Sequence, residues 1–88
     1  MRRVQQIGER FKTAWGKLEH GTQFAEEFVE GTMVSLAKVE EEYHLGVAET
    51  GQQPSFRKID QETAENVLRT MIALGIEREE KSNKGERQ

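Results

Sequence analysis

Glu41-Glu42-Tyr43-His44 contains a Glu-x-x-His step. On a helix that step puts Glu41 and His44 on one face, the spacing that carboxylate-bridged di-iron bundles use. A complete site of that kind needs a further glutamate from each of two other helices. Glu26, Glu27 and Glu30 lie 11 to 15 residues upstream. On one helix that is ~16–22 Å at ~1.5 Å per residue, too far to share an ion. An antiparallel second copy could bring them together, so Glu41 and His44 are the weak metal candidates. The plainer reading is a solvated acidic helix end, with no metal and no cofactor.

The other residues capable of chemistry are dispersed. His20 precedes Gly21, at a helix end where an imidazolium suits the helix dipole. Cysteine is absent, which removes a thiolate nucleophile, a disulfide framework and a cysteine zinc site. Ser35 and Ser55 have no histidine at a telling spacing, and the four glycines Gly8, Gly16, Gly21 and Gly31 are spread rather than clustered for phosphate. The expectation is a non-enzymatic protein with no catalytic and no cofactor-binding residues.

Charge is unevenly spread. Residues 1–20 balance at +3, residues 21–50 at −6 and residues 51–88 at zero, for a net −3. A basic segment lying beside an acidic one explains this most simply. Arg2, Arg3, Arg10, Lys12 and Lys17 could instead form a nucleic-acid arm. Phosphate-backbone binders are usually more basic than this, so nucleic acid ranks as an alternative partner.

The elements that would position these residues read as helices. Val4, Ile7, Phe11, Ala14, Trp15 and Leu18 recur at steps of three and four, which predicts a helix over about 2–20. Gly21 and Thr22 supply a stop and a new N-cap. Phe24, Phe28, Val29, Met33, Leu36, Val39 and Tyr43 predict a second helix over about 22–45. Residues 46–55, with two of the eight glycines and the only proline, read as a loop anchored by Phe56. Ile59 and Asp60 read as a hydrophobic residue and N-cap for a third helix, 60–75, with Gly75 as its C-cap. Residues 77–88 hold no apolar side chain and read as a flexible charged tail after a single helical domain, 1–76.

Register ties the first two segments together. A seven-residue repeat places Trp15, Val29, Leu36 and Tyr43 in one column, and Val4, Phe11, Leu18 and Val39 in its companion, without slipping at Gly21. A continuous helix would keep that phase; the glycines favour a turn. Hairpin or long kinked helix, the expected fold class is all-α and coiled coil-like, a helical bundle completed by association.

At 88 residues the chain buries roughly 60% of its unfolded surface, so a lone core is marginal. With disulfides excluded, association is the default remedy. Val4, Phe11, Trp15, Leu18, Phe28, Val29, Leu36, Val39 and Tyr43 are the expected core and interface. They would serve a cytoplasmic homodimer acting as an adaptor, regulator or inhibitor toward a protein partner. No window approaches the ~18 apolar residues of a membrane span, and the N-terminus lacks the apolar stretch of a secretory signal.

Overall fold

The computed structural model describes residues 2–86, with side chains over 5–81. It overturns the all-α expectation. Helix α1 (Arg2–Glu19) is followed by four strands, β1 (Phe24–Val29), β2 (Thr32–Val39), β3 (Glu42–Glu49) and β4 (Ser55–Ile59), and then by helix α2 (Gln61–Glu86). The strands form one antiparallel sheet in the order β1-β2-β3-β4. The fold is α+β, a meander between two helices. The second predicted helix, 22–45, is a run of strands, so there is neither a helical hairpin nor a long kinked helix, and no helical bundle.

Two of the helix ends are set by local chemistry. Gly21, at φ 94°, stops α1 with two bonds: its N–H donates to the Leu18 carbonyl at 3.0 Å, and the Thr22 N–H donates to the Lys17 carbonyl at 2.9 Å. That is the paired closure of a Schellman end, with glycine in the left-handed position. Asp60 caps α2 as expected, its Oδ1 accepting the Thr63 N–H at 2.8 Å. Gly75 does not end α2, which runs on to Glu86 into the stretch read as a tail. It lets β1 approach instead. A Cβ there would lie 2.8 Å from a carboxylate oxygen of Glu26, whose other oxygen accepts from Arg78 at 3.1 Å.

Tight turns join the strands. Glu30-Gly31 closes β1 to β2, with Gly31 at φ 84°. Glu40 and Glu41 close β2 to β3 with both φ values positive, 52° and 69°. Two glutamates in left-handed conformations is an uncommon choice, since two-residue hairpin turns favour Asn and Gly there.

Both helices lie on one face of the sheet. Leu36 and Tyr43 from the strands, Ala14 and Leu18 from α1, and Ala64, Leu68, Ile72 and Ile76 from α2 form one buried cluster. Phe11, Trp15 and Tyr43 stack in series, with centroids 5.5 and 5.2 Å apart, and Arg69 covers the free face of Phe11 at 4.4 Å. No helix among the described residues is long and apolar enough to cross a membrane.

Candidate functional site: the open face of the sheet

Strand side chains alternate between faces. The register therefore assigns every position, and Leu36, Leu45 and Tyr43 lie on the helix side. The opposite face then carries Ala25 and Glu27 from β1, Met33, Ser35, Ala37 and Val39 from β2, Glu42, His44, Gly46 and Ala48 from β3, and Phe56 and Lys58 from β4. Among the described residues no element covers it. Antiparallel sheets commonly leave one face to water, but that face is then usually polar. Here it exposes Phe56 at 66%, Val39 at 53% and Met33 at 44%.

Phe56 is held in place although exposed. Gly46 sits opposite it in the β3–β4 register, and a Cβ at that glycine would come within 2.7 Å of the ring. The ring lies over the backbone of Gly46, so the centre of the face is moulded by one glycine. Two shallow hollows flank it. One, of about 240 Å³, is bordered by Ala25, Met33, Ser35, Gly46, Ala48 and Phe56. The other, of about 340 Å³, is bordered by Ser35, Ala37, Val39, His44 and Phe56.

The titratable groups are mostly engaged in joining elements. Glu19, at the end of α1, accepts from Lys38 Nζ at 2.7 Å and from the Tyr43 hydroxyl at 2.6 Å. Its hydrogen bond from Lys38, then that from Tyr43, hold its carboxyl below the ordinary range. The Lys38 ammonium is raised by Glu19 first and Glu41 second. Burial, then Glu19, pushes the Tyr43 hydroxyl up. Arg10 makes a two-point contact with Glu79, both bonds 3.0 Å, which ties α1 to α2. Arg78 ties α2 to β1 through Glu26 and the Phe28 carbonyl, the latter at 3.2 Å.

The sequence-derived candidates scatter across this framework. Glu41 lies in the β2–β3 turn, paired with Lys38 at 3.1 Å, while His44 lies on the open face beside Glu42 at 3.7 Å. The Glu-x-x-His step therefore does not converge, because the helix that would align it is absent. Among the described residues no group of three or more metal-capable side chains is present. Lys12 and Lys17 are exposed on α1 and Arg10 is engaged with Glu79; the side chains of Arg2 and Arg3 lie outside the described residues, as does that of Val4. The expected basic arm is thus only partly in view.

Of the expected core and interface, Leu18, Leu36 and Tyr43 are buried and Phe11 and Trp15 half-buried. Phe28 and Val29 are exposed at the β1 edge and Val39 on the open face. Phe28 also borders an apolar cleft between α2 and the sheet, with Val34, Val47, Val67 and Met71 among its walls. Phe56 and Met33, the most prominent side chains of the open face besides Val39, were not singled out as site residues. Their signal was available: Phe56 lies in Ser-Phe-Arg-Lys-Ile, a short run after Pro54 that fits an edge strand.

Comparison with known proteins offers no analogue for this surface: no family model matches the chain, and no curated protein or solved structure does.

Proposed function

We propose that this chain is a non-enzymatic interaction module that docks a protein through the open face of its sheet. One observation carries the reading. A four-stranded sheet with both helices on one side presents Phe56, Met33 and Val39, with alanines between them, on the other. Contiguous exposed apolar surface on a small protein marks an interaction site far more often than isolated exposed side chains do. An exposed aromatic anchor, here on the edge strand β4, is the residue type that interface hot spots favour. The ion pairs of Glu19, Arg10 and Arg78 link the helices to each other and to the sheet behind that face, and the adaptor, regulator or inhibitor roles all need such a platform. The helix-packing mechanism that an all-α chain would have used is replaced by sheet-face burial.

The test is photo-cross-linking in the native cell. A benzoyl-phenylalanine placed at Phe56 is expected to give discrete protein adducts, and the same group at exposed Gln53 is expected to give none. Equal or absent adducts from both positions would overturn the reading.

A further inference from the structure

Resting on that reading, we infer that the occupant of the open face is a second copy of this chain. The two copies are related by a two-fold axis lying between the sheets and parallel to the strands. Three features support it.

The first is area. Strands spaced ~4.8 Å apart and rising ~3.4 Å per residue, six, eight, eight and five residues long, give a face of about 440 Å². Two such faces bury roughly 900 Å² in all, the range of a weak association that dissociates on dilution.

The second is the distribution of bulk along the rows that the register defines. One row reads Ala25, Ser35, Gly46, Phe56 from β1 to β4; another reads Glu27, Met33, Ala48 from β1 to β3. Each row is small on one side and large on the other. A two-fold parallel to the strands keeps the rows at their level and reverses their order. Phe56 of each copy then lands on Ala25 of the other, and Met33 on Ala48. Large-on-small pairing is how stacked layers interdigitate. The hollow of about 240 Å³ that Ala25 borders is where the incoming Phe56 ring rests.

The third is charge. In the same arrangement neither carboxylate of the open face, Glu27 opposite Met33 nor Glu42 opposite Val39, meets a carboxylate of the second copy; Glu42 lands against Val39 in the outermost row. The alternative two-fold, across the strands, would stack each strand on itself. It sets Phe56 against Lys58 and Met33 against Val39, large on large. The aligned arrangement also matches the common aligned packing of two sheets about 10 Å apart.

The experiment uses the natural lack of cysteine. Single-cysteine forms Ala25→Cys, Phe56→Cys, Met33→Cys and Val39→Cys are purified, checked by circular dichroism for native content, and treated with a short bis-maleimide. Mixing Ala25→Cys with Phe56→Cys is expected to give cross-linked dimer. Ala25→Cys alone, which keeps both Phe56 rings, is expected to give at least tenfold less, since its two thiols stand about 14 Å apart laterally, three strand spacings. Efficient cross-linking of Met33→Cys with Val39→Cys, without the Ala25–Phe56 product, would overturn the arrangement. Light scattering on the cysteine-free protein guards against a variant that misfolds: a monomer at every concentration would overturn the second copy altogether. In that case the docking of some other protein is still decided separately by the adducts from position 56.

Discussion

The two faces of one sheet carry apolar side chains of similar size, but only one of them is covered. Toward the helices, Val34, Leu36 and Tyr43 are buried under α1 and α2. Away from them, Met33 and Val39 from β2 and Phe56 from β4 are comparable in size and remain exposed. On the inner face apolar surface holds this chain together; on the outer face similar surface is free to hold two chains together. The lesson is that burial, read position by position along a strand, separates a stability residue from a binding residue when residue type does not.

The contrast is broken most strongly from the inside. Leu36 and Leu68 are fully buried, and Leu36→Ala or Leu68→Ala is expected to cost ~2–5 kcal/mol in urea unfolding. Phe56→Ser on the outer face is expected to cost within about 1 kcal/mol under dilute conditions, as surface changes usually do. Equal losses would mean that the outer ring belongs to the monomer's core.

Gly46 lies between these extremes, because it belongs to the sheet but shapes the outer face. Gly46→Ala forces the Phe56 ring to move, since the new Cβ would meet it at 2.7 Å. A loss of about 1–3 kcal/mol is expected from that overpacking, with a weakening of self-association of at least tenfold. Unchanged association would detach Phe56 from the interface.

A smaller effect is expected at the β2–β3 turn. Glu41→Gly relieves a left-handed glutamate at φ 69° and is expected to raise stability by about 1 kcal/mol, without changing association. Thermal melting at fixed dilute concentration measures it.

The smallest effect concerns pH on the helix side. The Glu19 carboxyl is depressed by Lys38 and Tyr43, so its contribution is fully present above the ordinary carboxylate value of 4.5. It is lost as pH falls through the lower folded value. Glu19→Gln is expected to lower stability at neutral pH and to flatten its fall below about pH 4.5. A parallel fall in both proteins would remove Glu19 from the acid response.

The same contrast explains how much of the molecule could be read from its residues. Both helices were legible because their ends carry local chemistry: Gly21 stops α1 and Asp60 caps α2. The strands were hidden by the surface that now carries the proposed function. A half-buried strand announces itself by apolar and polar alternation. In β2, outward Met33, Ala37 and Val39 are as apolar as inward Val34 and Leu36, while inward Lys38 is charged. On β1, Glu26 occupies an inward position to meet Arg78. With alternation erased, the coincidence that Val29, Leu36 and Tyr43 fall seven residues apart suggested a helical register. The turn at Glu40-Glu41 added to this, since glutamates are good helix formers and neither is a customary turn residue. The metal and basic-arm candidates inherited the error, because their geometry presupposed helical spacing.

The most direct measurement of the central claim compares the solution mass of the wild-type chain and Phe56→Glu by light scattering over a dilution series. The wild type is expected to approach twice its 10.1 kDa at high concentration and to fall toward 10.1 kDa on dilution. Phe56→Glu, still folded by circular dichroism, is expected to stay at the monomer mass throughout. Identical mass curves for the two proteins would contradict the claim that the open face of the sheet is where this chain binds.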